Sequence, residues 1–367
     1  MQNSHKDLKI ALFCGGSGTR MWPMSRRNLP KQFQPLIEGE STFEMMINRL
    51  KPEFQMHDIF PVTTRDNVQW IVKLAPAIPL ENIIIEPQMR DTAAAVGLSA
   101  AVLDKKFDNP NVLGLWSDHV VRNEQEFLKA IRLADKAVKE MDKFVEIGVR
   151  PTLPSIALGY LKVGKMLKSD DGLAIFEFVS QIEKPDYKTA KKFVQSWEYL
   201  WHIGYSVWSA QKMLNLYEKH FKEGWEALMK IQKAWGTHQQ QAVIQKEYEK
   251  IPKNSIDYAI NSHLTGTDQV VISADLGWRD VGTWDELKEE MSSQPRENIL
   301  QGNVVDLDLK DCLIYSSTDK KIIAAIGLEG LIVVDTEDAL LVCTKDRTHD
   351  VKKIIEKLKE EKKEQYL

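Results

Sequence analysis

Cysteine is scarce in this 367-residue chain, with Cys14, Cys312 and Cys343 the whole supply. They are odd in number, far apart and never in a CxxC pair. That excludes a disulfide framework and a zinc knuckle, and it fits a reducing cytoplasm. Long apolar runs are missing too: none approaches the roughly 18 residues that suggest a membrane span. The opening MQNSHKDLK is polar and lacks the apolar core of a secretory signal, so it does not read as a targeting segment. Positive charge is not in excess. The 49 Lys and Arg stand against 53 Asp and Glu, a net charge of −4, whereas a general nucleic-acid binder is usually basic. Neither nucleic acid nor a membrane is therefore expected as a partner, and any phosphate ligand needs a local site.

What is present is an ordinary soluble composition, 43% apolar and 28% charged, on a length that suggests two domains. Residues 9–14 (KIALFC) form a short apolar run ending at glycines, the pattern of a buried strand entering a tight loop. Ser41-Thr42-Phe43-Glu44 is a capping-box pattern, with a helix continuing through MMINRL. Strands are predicted at 59–63, 83–86 and 112–116, and helices at 92–103 and 124–140. This alternation argues for an α/β, Rossmann-like domain on a mostly parallel, mixed sheet. In such sheets ligands bind beyond the carboxyl ends of the strands, where both the glycines and Asp118 fall. From 151 to 290 the pattern is less regular, with strands predicted at 176–182 and 270–274 and helices at 188–195 and 211–222. After 292 short β-rich segments (NVVDLDL, CLIYSS, KIIAAIG, LIVVDTEDALLVC) alternate with Gly or Asp, which suggests a small β-solenoid-like unit. Residues 349–365 read as a charged amphipathic helix. The expected domains are 1–292, catalytic, and 293–367, small and β-rich.

The first chemical constellation is Gly15-Gly16-Ser17-Gly18-Thr19-Arg20-Met21-Trp22-Pro23, followed by Pro30-Lys31-Gln32-Phe33. Glycines after a strand let backbone N–H groups approach phosphate oxygens, although they would equally serve a bare turn. No Gly-Lys-Ser/Thr follows, so this is not a Walker A loop. Position 21 is Met, so it is not a dinucleotide fingerprint. Arg20 and Lys31 add the positive charge that a triphosphate requires. Asp118 and Asp280, each beside a strand end, are the oxygen-donor pair that Mg²⁺ prefers with phosphate and water, though either could be a cap or turn residue. His119 reads as structural, because Mg²⁺ favours oxygen ligands. Of the ten tryptophans, Trp22, Trp201 and Trp278 lie inside motifs.

The stretch GGSGTRMWPMSR followed by PKQF resembles the signature of sugar-nucleotide pyrophosphorylases, in particular mannose-1-phosphate guanylyltransferases. The resemblance extends in order through Glu86-Pro87, Thr92-Ala93, Ser117-Asp118-His119, Gly159-Tyr160, Glu183-Lys184-Pro185, Trp201-His202-Ile203-Gly204, Ser255-Ile256-Asp257-Tyr258 and Trp278-Arg279-Asp280-Val281-Gly282-Thr283-Trp284. It implies GTP and a sugar 1-phosphate as substrates and leaves a homodimer open. By the same resemblance, Arg20 and Lys31 are catalytic. Gly15, Gly16, Ser17, Gly18, Thr19, Glu86, Pro87, Thr92 and Ala93 bind the nucleotide. Gly159, Tyr160, Glu183, Lys184, His202 and Gly204 bind the sugar phosphate, and Asp118 and Asp280 hold Mg²⁺.

The departures cluster on the sugar side. The family usually shows Trp-Asn-Ser-Gly where this chain has Trp201-His202-Ile203-Gly204. Ala157-Leu158 replaces a Gly and an aromatic, Asp91 stands for Asn, and Ile260-Asn261-Ser262 stands where Met-Glu is usual. A related sugar, a heptose or 6-deoxyhexose 1-phosphate, is the alternative to mannose 1-phosphate, with another nucleobase or a non-catalytic sensor behind it. Long relatives add a cupin-type isomerase domain. About 75 residues after 292 are too few for one, so isomerase activity is not expected.

Overall fold

The computed structural model describes residues 8–16 and 18–367; the opening segment and Ser17 lie outside the described residues. The chain divides into two compact units. The first comprises Met1–Gly15, Asn48–Trp116 and Val121–Trp278, and the second Gly16–Ile47, Ser117–Val120 and Arg279–Leu367. Among the described residues no helix is long and apolar enough to cross a membrane.

The strands in chain order are β1 (Leu8–Phe13), β2 (Ile59–Thr64), β3 (Ile84–Glu86), β4 (Asn111–Trp116), β5 (His119–Val121), β6 (Phe144–Val149), β7 (Gly159–Asp170), β8 (Leu173–Ile182), β9 (Tyr199–Ser209), β10 (Gln269–Ser273) and β11 (Trp278–Asp280). In the first unit nine of them form one mixed sheet in the order β3-β2-β1-β4-β9-β6-β10-β8-β7. The parallel part is β3-β2-β1-β4 together with β6–β10. Antiparallel pairing enters with β9, which lies between β4 and β6 and also pairs with β7. Strands β1 and β6 are buried along their whole length, which is why residues 9–14 read as an unbroken apolar run rather than an alternating one. The helix Asp91–Phe107 has an unbroken buried stretch from Ala93 to Leu103. Its alanines let it share one core with Phe13, Phe60, Trp208, Tyr217 and Leu228.

In the second unit Ser41 caps the helix Thr42–Leu50. Its hydroxyl donates to Glu44 at 2.7 Å and accepts the Glu44 N–H at 3.2 Å, while Glu44 takes the Ser41 N–H at 3.1 Å, the expected capping box. The strands β12 (Ile299–Gln301), β13 (Val304–Leu307), β14 (Leu313–Ser316), β15 (Ile323–Ile326), β16 (Leu331–Asp335) and β17 (Leu340–Thr344) follow. They form two sheets, β12-β14-β16-β17 and β13-β15, all parallel except β16–β17. Ile299 pairs with Leu313 and Leu313 with Ile332, a coil that stacks rung on rung as a solenoid does. Within β14 the two faces diverge: Ile314 packs inside the coil with Cys312, Leu309 and Ala325. Leu313 faces a second cluster containing Met21, Trp22, Val281, Trp284, Val351 and Ile355. The expected helix over 349–365 is shorter, Val351–Glu360. Glu361-Lys362-Lys363 offers no further apolar position on its face, and Lys362 turns to a positive φ of 57°.

Candidate active site

The second unit brings four of the expected residues together. The Lys31 ammonium lies 3.0 Å from Asp118 Oδ2 and 3.6 Å from Asp280 Oδ1, and it donates to the Val281 carbonyl at 3.0 Å. Burial disfavours its charge, but Asp118 and Asp280 outweigh burial and raise its pKa. Burial likewise opposes charge on Asp118, yet Lys31 and then His119 hold that carboxyl down at about 2. His119 itself is shifted downward by burial, despite Asp118 at 3.9 Å. Gly18 makes the approach of Lys31 feasible. It is left-handed (φ 57°), and a Cβ there would meet Lys31 Cγ at 2.8 Å. Arg20 lies over Gly282: a Cβ on that glycine would sit 2.9 Å from its Nη2. Thr19–Met21 forms one 3₁₀ turn, so Thr19 and Arg20 follow directly from the Gly18 bend. Gly16, also left-handed at φ 93°, has open space where a Cβ would be.

Asp118 and Asp280 suit a hard divalent cation. Both offer oxygen only, and Asp280 Oδ1 is buried without a hydrogen-bond partner, which leaves acceptor capacity to spare. Among the described residues no group of three or more His, Cys, Asp or Glu could hold a metal ion. A cation held by two carboxylates must complete its shell with phosphate and water, which is the habit of Mg²⁺.

The first unit carries the remaining candidates. Glu86, at the end of β3, is buried and accepts from the Tyr248 hydroxyl; burial raises its pKa. Pro87 follows it out of the strand. Thr92 and Ala93 begin the helix that starts at Asp91, which takes a left-handed φ of 66°. Several of their polar groups bond within the protein. Thr92 Oγ1 accepts from the Ile256 N–H at 2.8 Å, the Ala93 N–H donates to the Asn254 carbonyl at 3.1 Å, and the Ala93 carbonyl accepts from Tyr217 at 2.5 Å. These bonds tie the start of the helix to residues 254–256 and to Tyr217.

On the sugar side Gly159 of β7 pairs with His202 of β9. A Cβ on Gly159 would fall 2.3 Å from Glu183 Oε2 and 3.2 Å from His202 Cβ, so glycine is what lets these three meet. Glu183 Oε2 is buried without a partner, while Oε1 faces Lys184 at 3.3 Å. Lys184 is mostly exposed and left-handed at φ 46°. Tyr160 is buried, with its hydroxyl donating to the Ser155 carbonyl at 3.0 Å. Gly204 is left-handed at φ 75°. Its carbonyl accepts from Trp116 Nε1 at 3.1 Å, and a Cβ would lie 2.4 Å from that same nitrogen.

His202 departs from the expected sugar contact. Its Nδ1 faces Glu146 and its Nε2 faces Asp257 at 2.8 Å. Both nitrogens are committed to protein carboxylates, so the ring offers a ligand no free donor. The reason is a cross-sheet neighbour: Glu146 stands on the adjacent strand β6, fully buried. Nor do the motif tryptophans form stacking platforms. Trp22, Trp201 and Trp278 are only 7%, 6% and 6% exposed, and Trp201 packs against Trp278 with ring centroids 6.4 Å apart. The exposed indole is Trp197, 70% accessible, with the Arg150 guanidinium 4.0 Å from its ring centroid.

Three contributions escaped sequence reasoning. Glu286 accepts the Gly282 N–H at 2.8 Å and reaches the same glycine face as Arg20; burial and then Asp280 raise its pKa. The Thr283-x-x-Glu286 spacing of a capping box was the available signal. Glu146 had none, being 56 residues from His202, and Asp257, 55 residues away, stood only as part of the Ser255-Ile256-Asp257-Tyr258 motif, with no sign that it meets His202. Finally, the end of the chain anchors the Arg20 segment. The Tyr366 carbonyl accepts from Trp22 Nε1 at 2.7 Å and from Arg26 Nη1, and Arg26 also binds Asp338 at 2.6 Å.

Comparison with known proteins matches residues 10–297 to the nucleotidyl transferase family and 302–358 to the MannoseP isomerase/GMP-like beta-helix domain. The chain is 33% identical over 358 residues to a xanthan biosynthesis protein XanB of Xanthomonas campestris pv. campestris, covering 96% of this chain and 73% of that one. It is 32% identical to a mannose-1-phosphate guanylyltransferase of Klebsiella pneumoniae, covering 97% and 74%. A solved structure of a mannose-1-phosphate geranyltransferase from Thermus thermophilus superposes with a TM-score of 0.85 at 29% identity, covering 96% of this chain and 99% of that one. With its Gly-rich loop, Lys31–Asp118–Asp280 cluster and β-helix unit, the chain belongs to the nucleotidyl transferase family, in the branch of the mannose-1-phosphate guanylyltransferases.

Proposed function

We propose that this protein transfers GMP from GTP to mannose 1-phosphate, giving GDP-mannose and pyrophosphate, in the cytoplasm and with Mg²⁺. The observation that carries the reading is the Lys31 ammonium set between two carboxylates, one with a buried oxygen that accepts no hydrogen bond, inside the family's signature. A phosphate oxygen of the sugar 1-phosphate attacks the α-phosphorus of GTP. A new P–O bond forms there as the bond to the bridging oxygen of the β-phosphate breaks, and pyrophosphate leaves with that electron pair. The attacking phosphate is already an anion, so no protein nucleophile or base is required. The barrier lies in bringing two polyanions together. Arg20, Lys31 and the backbone N–H groups of Gly15, Gly16, Ser17, Gly18 and Thr19 lower it by positioning and neutralising charge. Glu86, Pro87, Thr92 and Ala93 shape the nucleotide side. Gly159, Tyr160, Glu183, Lys184 and Gly204 shape the sugar-phosphate side. Bound by Asp118 and Asp280, Mg²⁺ would supply further neutralisation of phosphate oxygens. Catalysis belongs to residues 1–292, with 293–367 as an accessory unit.

The test is pyrophosphate release over a panel of nucleoside triphosphates and sugar 1-phosphates, with and without Mg²⁺. GTP with mannose 1-phosphate should give the highest kcat/KM, and no release with any pair would overturn the reading. The buried Ile203 and the engaged His202, in place of Asn-Ser, favour a second outcome: preference for a heptose or 6-deoxyhexose 1-phosphate with GTP retained.

A further inference from the structure

The imidazole of His202 is enclosed by carboxylates and amides. Glu146 from β6 takes Nδ1 and Asp257 from the short helix Ile256–Ala259 takes Nε2. Gln269 of β10 donates to the second Glu146 oxygen at 3.0 Å, and Asn261 and Gln181 donate to Asp257 Oδ1 at 3.1 and 3.3 Å. All three amides turn their N–H groups to the carboxylates and leave their own oxygens buried without partners. Two carboxylates therefore dominate the cluster, and a ring that donates from both nitrogens satisfies both at once. The other charged groups near the ring are Glu183, across Gly159, and Lys184, which is paired to Glu183.

The arms of this cluster end at different parts of the site. The ring sits on β9 two residues before Gly204, opposite Gly159. Asp257 is one residue after Ile256, whose N–H bonds Thr92, and three after Asn254, whose carbonyl bonds Ala93. We propose that His202 is a positioning residue: its doubly bonded, positively charged ring fastens the sugar-side strand to the segment that seats Thr92 and Ala93, so that one side chain sets the geometry for sugar phosphate and nucleotide together. This rests on the roles proposed above for Gly159, Gly204, Thr92 and Ala93, and it replaces a direct contact of His202 with sugar. Burial opposes the ring's charge, but Glu146 and then Asp257 outweigh it and raise its pKa well above the ordinary imidazole value. The fastening therefore persists at neutral pH and loosens as pH rises.

The experiment measures GTP and mannose 1-phosphate binding separately by calorimetry, from pH 6 to pH 10, in the wild type, His202→Gln and Asp257→Asn. Thermal unfolding confirms that each variant is folded. His202→Gln should weaken both ligands by comparable factors, roughly ten-fold. The wild type should lose affinity for both at alkaline pH, and Asp257→Asn should move that loss to lower pH. A loss confined to the sugar phosphate would mean direct contact and overturn the proposal. So would unchanged GTP affinity, or the same alkaline limb in all three proteins. Nitrogen NMR of the wild-type imidazole needs neither substrate. Two protonated ring nitrogens at pH 7.5 support the fastening, and one bare nitrogen refutes it. If GTP and mannose 1-phosphate fail to bind while the ring is doubly protonated, it is the substrate reading that has failed, and the binding comparison is then made with the pair selected by the panel.

Discussion

In each unit a nearly buried cation stands between two carboxylates. In the second unit Lys31 stands between Asp118 and Asp280, and in the first His202 stands between Glu146 and Asp257. The charges are alike and the surroundings are not. Around Lys31 the side chains of Asp118 and Asp280 are about a third exposed, and an Asp280 oxygen is left without a hydrogen bond. Around His202 the Glu146 carboxylate is 1% exposed and amides fill the remaining acceptor positions. An ion cluster with unspent acceptors can take on a metal ion or another donor. One whose valences are filled from within can only hold the fold in register. A perturbed pKa marks both, so perturbation alone does not distinguish a reacting group from a brace.

The largest expected effect would sharpen this contrast. His202→Leu strands a buried Glu146 charge and should destabilise the protein by about 3–5 kcal/mol, measured by urea unfolding. The loss should be pH-dependent. A group whose folded pKa is raised contributes fully below its unfolded value, near 6.5, and loses that contribution as pH rises through the folded value. The wild-type advantage over His202→Leu should therefore shrink on the alkaline side. On the acid side it should fall as pH drops from about 4 toward the value of about 2 at which His202, with Asn261 and Gln181, holds Asp257 against the effect of burial.

Lys31→Ala should behave in the opposite sense. Turnover should fall roughly 100-fold or more, about 2.7–4 kcal/mol of transition-state stabilisation, while urea unfolding changes far less. Arg20→Ala and Asp280→Asn should follow it, the latter also blunting the Mg²⁺ dependence of pyrophosphate release. A rise in KM with kcat unchanged in Lys31→Ala would show that the cation binds ground and transition states equally, and the contrast would break there.

Gly204→Ala probes a position where geometry, not charge, is at stake. A methyl group at φ 75° and 2.4 Å from Trp116 Nε1 should cost about 1–3 kcal/mol, read as a lowered Tm. The smallest effect is expected at Ser41→Ala, which removes a helix cap and should cost about 1 kcal/mol with kcat unaltered. A turnover loss there would show that the helix Thr42–Leu50 reports on catalysis after all.

What could be read in the sequence follows the range of the interactions. The strand ends, the glycine loop, the Ser41–Glu44 box and the rungs beyond residue 292 are set by near neighbours and by periodicity, and the structure has them. The family resemblance assigns Lys31 and the pair Asp118 and Asp280 to one site, but nothing in the sequence announces their ion pairs, since the lysine is 250 residues from its Val281 acceptor. Insertion of β9 antiparallel between β4 and β6 has no local signature. Neither does the commitment of His202, whose meaning depends on two carboxylates more than 50 residues away. The tryptophans are silent for a related reason: composition supplies indoles, but only packing decides that Trp22, Trp201 and Trp278 are buried and Trp197 is not.

The bonds from Trp22 and Arg26 to the Tyr366 carbonyl carry a consequence for biogenesis. Trp22 Nε1 and its acceptor are 344 residues apart. At about 5–20 residues per second, roughly 20–70 s of translation separate the making of the two partners. Throughout that interval the segment bearing Arg20 exists without the anchor that its final conformation uses. The segment bearing Arg20 is thus among the last to gain its contacts during synthesis, and a ribosome-bound chain stopped short of residue 366 would carry its signature without this anchor.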